Sequence, residues 1–226
     1  MKYARTCGFA VSVGALGAFL LYTVCFVVIL LVNPPFSWEG IEALAAYEAR
    51  VQTVWKYVGM GCMIAYACAF PVLAVCAGEL AGPEKRLPAR IAGVFSVAFC
   101  GAVALAYFVQ LTATRLQLER GHTEGLVQFT QSYSISALNA GNMLGWTVFY
   151  PLATLALALL FGGTRAGKLT RNFCLLNTAL MAVGFVGYLC DHFLTLLLTM
   201  NLGLGFAGIG MLAGMAAFFR KGKSLL

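Results

Sequence analysis

The chain is predicted to be an all-α integral membrane protein, a six-transmembrane-helix bundle with both termini cytoplasmic. Three observations predict it. Of its 226 residues, 61% are hydrophobic and only 10% are charged. The apolar residues gather into six runs, at 6–32, 54–78, 90–112, 139–161, 172–198 and 202–219. Each run is long enough for a helix to cross a hydrocarbon core of roughly 30 Å. Finally, the basic residues fall on one side of the runs. Lys2, Arg5, Lys85, Arg86, Arg90, Arg165, Lys168, Arg171, Arg220, Lys221 and Lys223 lie on the side of the termini, against Arg50, Lys56, Arg115 and Arg120 on the other. Basic loops resist translocation, so the richer side is cytoplasmic.

Helices are the economical choice because backbone polar groups in lipid must be satisfied within their own segment. The alternation that a transmembrane strand requires is absent. The first run follows Lys2 and Arg5 as a signal peptide would, but its length exceeds a usual apolar signal region of about 7–15 residues. It reads as a retained helix, and residues 1–226 as a single transmembrane domain.

The formal charge of +7 is a topology signal and not a nucleic-acid footprint. The terminal side carries nine net positive charges once Glu79 and Glu84 are counted, and the outer side two net negative ones. The expected partner is the lipid bilayer; no nucleic acid is expected. The eight cysteines include no C-x-x-C pair. They read as small packing residues, with no metal and no cofactor expected.

After the first run, Pro34 and Pro35 stop the helix. Ser37 then reads as an N-cap with Glu39 in the first turn. Ile41, Leu44, Glu48, Val51, Trp55 and Val58 recur at helical spacing and predict an amphipathic helix over 37–50 on the outer surface, leading into the second run. Trp38, Trp55, Lys56 and Tyr57 fit the headgroup level. Pro71 predicts a kink in the second run, because it removes a donor and frees the Ala67 carbonyl. The loop 79–88 reads as a short turn. Gly121 reads as the stop of an extended third run, and Thr123 as the cap of a brief helix reaching Tyr133. The last two runs are expected to meet near Asn201 as antiparallel neighbours.

Polar residues inside the runs mark where function could sit. In the fifth run Asn177, Gly184, Tyr188, Asp191, His192, Thr195 and Thr199 share one helical face. Asn139, Asn142, Trp146, Tyr150 and Thr154 do so in the fourth. Ser96, Tyr107, Gln110 and Thr114 do so in the third. All three stripes thicken toward the outer end. Either they line a pocket between the third, fourth and fifth runs, or they only bond one helix to another. In the first case Asp191 is the charge anchor or proton acceptor, since an ionisable group there carries a desolvation cost. His192, Tyr188, Tyr107, Gln110, Asn139 and Asn142 supply hydrogen bonds, and Trp146 an apolar wall.

Gly210 and Gly214, spaced G-x-x-x-G, offer a small face to a partner helix, in this chain or in a second copy. No catalytic residue is assigned: His192 and Asp191 are adjacent in sequence, so their side chains diverge, and no hydrolase or nucleotide-binding motif is present. The leading expectation is binding or transport of a small or lipophilic molecule. A structural or assembly subunit stands second and a membrane enzyme third. The stretch Asn142-Met143-Leu144-Gly145-Trp146, opening the fourth run, resembles uncharacterised six-span inner-membrane proteins of bacteria. That resemblance implies an inner (plasma) membrane location and no activity.

Overall fold

The computed structural model describes residues 1–221; Lys223 of the terminal basic group lies outside them. Six helical spans are long and apolar enough to cross a membrane, which points to a multi-pass membrane protein. They are built from α1 (Lys2–Val32), α3 (Val54–Leu80), α4 (Arg86–Val109) extended by α5 (Arg115–Glu119), α6 (Ala137–Leu144) with α7 (Tyr150–Leu160), α8 (Arg165–Leu189), and α9 (Phe193–Met200) with α10 (Ile209–Lys221). The short α2 (Ile41–Glu48) lies between the first two spans. Among the described residues there is no strand.

The spans form a ring in chain order. α1 packs on α3, α3 on α4, α4 on α7, α7 on α8, α8 on α10, and α10 returns to α1. The first residues of α1 and the last of α10 share a cleft, so both ends of the described chain lie at one end of the bundle. We call that the terminal end and the other the distal end. The ring closes on an aromatic core of Tyr66, Phe70, Phe99, Trp146 and Tyr150, all buried, with Phe99 4.9 Å from both Trp146 and Tyr150. The Tyr66 and Tyr150 hydroxyls share a hydrogen bond there.

The last two spans correct the expected boundary. They turn at Cys190–His192, not near Asn201. Asp191 adopts a left-handed φ of 52°. Its N–H donates to Tyr188 O at 3.1 Å, and the His192 N–H to Gly187 O at 2.8 Å. These are the two bonds of a Schellman helix stop. Glycine usually holds that left-handed position; an aspartate there left the stop hidden in an apolar run. His192 then caps α9, its Nδ1 accepting from the Thr195 N–H at 3.2 Å. Asp191 and His192 are therefore turn residues, not members of a helical stripe.

The spans at residues 83–119, 137–160 and 193–220 each contain a π-helical segment, at Gln110–Thr114, Gly145–Phe149 and Asn201–Gly208. The middle one has a local cause. Pro151 lacks an N–H and its ring would press on the Thr147 carbonyl, and a wider turn just before it relieves both. In the last, the Asn177 amide donates to the Gly203 carbonyl at 2.8 Å. By contrast, α3 runs through Pro71 without interruption.

The segment between the first two spans folds more compactly than a helix over 37–50. α2 begins after Gly40, which has a φ of 122°, and no side chain caps it, Ser37 included. Ile41 and Leu44 bury against Leu126 of a 3₁₀ turn (Leu126–Phe129), and Trp38 stacks on Tyr133 at 4.9 Å. That turn starts at left-handed Gly125, so Thr123 is not its cap; Gly121, also left-handed, follows the end of α5. The Gly210 and Gly214 face is taken by α8. A Cβ at Gly214 would lie 2.6 Å from Thr170 Oγ1, and one at Gly210 would strike the Phe173 ring. The partner helix at this seam belongs to the same chain.

Candidate functional site

The spans do not seal everywhere. In the distal half, a cavity of about 310 Å³ opens beside α1, a size in the range of small-molecule sites. Its α1 wall is an aromatic stripe, Phe19, Tyr22 and Phe26. Met63 of α3 and Tyr107 of α4 face it, as do Asn142 and Trp146. The far wall is Leu197 and Met200 of α9 with Asn201, Leu204 and Gly205 of the last π segment. α1 packs on α10 near the termini, and farther along α1 the cavity lies between it and α9. Gly205 contributes to the opening: nothing lies within 4 Å of where its Cβ would be.

The cavity is mostly apolar, with few polar groups. Two of these are already engaged by their own helices. Thr23 Oγ1 donates to Phe19 O at 3.0 Å, and Asn201 Nδ2 to Leu197 O at 2.8 Å. Asn142 differs. It is 4% exposed, and its Oδ1 is buried without a hydrogen-bond partner. Tyr107 and Trp146 line the same cavity beside it. A buried carbonyl oxygen left unpaired costs about 1–3 kcal/mol, so it is the natural place for a ligand's donor.

A second cavity of about 190 Å³ shares Tyr22, Phe26 and Tyr107 with the first and continues toward the distal end. Lys56 and Gln131 line it, and Lys56 is ion-paired with Glu48. Two more unpartnered buried atoms occur on these residues, Gln131 Nε2 and Glu48 Oε2. Together the cavities make a groove with an apolar floor and a polar distal mouth. Trp146, on the cavity wall, is also part of the buried aromatic core.

Of the residues singled out from sequence, three meet here: Tyr107, Asn142 and Trp146. Of the other five, Gln110, Asn139 and Tyr188 hold the distal loops. Gln110 Nε2 donates to Thr114 Oγ1 at 3.2 Å and to Phe129 O, where Thr114 Oγ1 also donates at 2.7 Å. Asn139 Nδ2 donates to Ser134 O at 2.7 Å, and the Tyr188 hydroxyl reaches the same oxygen at 3.5 Å. Asp191 and His192 are exposed in their turn. The pocket expected between the third, fourth and fifth spans is thus displaced toward the first and sixth. Part of each stripe faces protein: Ser96, Asn142, Thr154 and Asn177 are buried. Asn177 spends its polarity on Gly203 and on Thr154 Oγ1 at 3.2 Å, bonding helices together. Sequence reasoning missed the α1 wall, whose one signal is the aromatic spacing of Phe19, Tyr22 and Phe26. Gln131 and Glu48 gave none.

No family model matches the chain, and neither a curated protein nor a solved structure does.

Proposed function

We propose that the protein binds or transports a small lipophilic molecule, admitted from the bilayer into the groove beside α1. The observation that carries this reading is the unpartnered Asn142 Oδ1 buried on the wall of an otherwise apolar cavity. A ligand with an apolar body and one hydrogen-bond donor answers both features. On this reading Asn142 is the polar anchor, Trp146 and the α1 aromatics are the wall, and Tyr107 stands where the two cavities join. The anchor role passes from Asp191 to Asn142. The excess of basic residues at the terminal end supports cytoplasmic termini; on this reading the groove opens in the outer half of an inner (plasma) membrane.

The test is photolabelling of the protein in lipid nanodiscs with a diazirine-bearing long-chain alcohol. Labelled peptides should carry Phe19–Phe26 and Asn142–Trp146. Gly205→Leu fills the groove without backbone strain and should lower that labelling about tenfold, the loss of a small apolar pocket. Labelling spread evenly over the lipid-facing surface, or unchanged in Gly205→Leu, rejects the groove as the site.

A further inference from the structure

A second cleft lies at the opposite end of the bundle, between the first turns of α1 and the last of α10. It is an open cleft of about 430 Å³ lined by Lys2, Arg5, Thr6, Phe9, Phe219 and Arg220. Gly8 makes the approach of α10 possible, because the Phe219 ring sits 2.7 Å from where a Cβ would be. Three cationic side chains thus line one cleft, and among the described residues its lining holds no carboxylate. The first turn of α1 holds no acidic residue either. Ion pairs among the described residues join Lys56 to Glu48 and Arg115 to Glu119, both at the distal end. Arg5 Nε is buried and has no hydrogen-bond partner among the described residues.

Like charges gathered without a counterion repel, and a buried guanidinium N–H without an acceptor is costly. One anion relieves both. The planar fork of arginine matches phosphate oxygens in particular. Phe9 adds a direction: it is exposed and leads from the basic end along the apolar flank of α1. A ligand that follows it has an anionic head and a hydrocarbon tail. We infer that this cleft holds the phosphate of an anionic phospholipid, with Arg5, Lys2 and Arg220 around the head and an acyl chain along Phe9. Basic pockets between helices are a recurrent form of headgroup recognition. The site is separate from the distal groove and does not depend on what that groove binds.

The experiment uses protein purified in detergent and offered equal amounts of phosphatidylglycerol and phosphatidylcholine, read by native mass spectrometry. One phosphatidylglycerol per chain should be retained, with a preference of about tenfold or more. The variant with Lys2→Gln, Arg5→Gln and Arg220→Gln should weaken retention on the order of a hundredfold. Arg165→Gln, Lys168→Gln and Arg171→Gln together remove the same charge from the same end but outside the cleft, and should leave retention near wild type. Equal retention of the two lipids by the wild type overturns the assignment, whatever the variants do. Equal losses in both triple variants overturn it in favour of a diffuse basic surface. Displacement of the lipid by millimolar glycerol phosphate overturns it in favour of a soluble phosphate ester.

Discussion

The hydroxyl oxygens of Tyr66 and Tyr150 stand 2.6 Å apart at the centre of the bundle, on two residues with no exposed surface. They join α3 to α7 across the ring, where water cannot substitute for either partner. Tyr150→Phe and Tyr66→Phe should each lower stability by about 1 kcal/mol or more, since each strands the other hydroxyl. The double variant should cost less than the two losses added together. Denaturation of the purified protein, followed by tryptophan fluorescence, gives the cycle; strict additivity would show that the two hydroxyls do not act as a pair.

Asn177 supports the last π segment through Gly203 O. Asn177→Leu removes that donor and the bond to Thr154 together. It should destabilise by about 0.6–1.7 kcal/mol, the range measured for single polar contacts between membrane helices. Faster hydrogen exchange over Asn201–Gly208 should accompany the loss. Unchanged exchange there would mean that the widened turn stands without the amide.

Two glycines of the sixth span should respond oppositely to the same change. Gly214→Leu drives a side chain into Thr170, where even a Cβ meets backbone at 3.2 Å, and should abolish monodisperse folded protein. Gly205→Leu enters open space and should purify normally. Size-exclusion chromatography separates the outcomes. Equal behaviour of the two variants would contradict the packing of α10 on α8.

Asp191 tests the turn. Glycine carries no penalty at its positive φ, so Asp191→Gly should leave stability unchanged or raise it by up to about 1 kcal/mol, while Asp191→Val should lower it by about 1–2 kcal/mol. Asp191→Asn should preserve both stability and groove labelling. Lost labelling in that variant would return the anchor role to the carboxylate.

The architecture was legible because lipid imposes a strong rule on composition: runs of this length and apolarity leave helices as the one solution. Polar stripes were legible for a related reason. Asn142, Gln110 and Asn177 could not face lipid cheaply, and all three are buried. What they do once inside was not legible. Gln110 bonds a loop carbonyl and Asn177 a π-segment carbonyl, and both acceptors are backbone atoms that no side-chain pattern announces. Asp191 misled because an aspartate in the left-handed position of a helix stop looks like a charge inside a span. The groove depends on the space between α1 and α9, segments about 170 residues apart in a ring that periodicity within one helix cannot close.

That ring has a consequence for how the molecule is made. Each span packs on the one synthesised just before it, so assembly can proceed in step with the ribosome, by short-range encounters alone. The contact of α10 with α1 is the exception, and it joins the newest helix to the oldest. The groove lies along this seam. Its walls therefore meet at the final step of assembly, and until then the face of Phe19, Tyr22 and Phe26 stands without its neighbour.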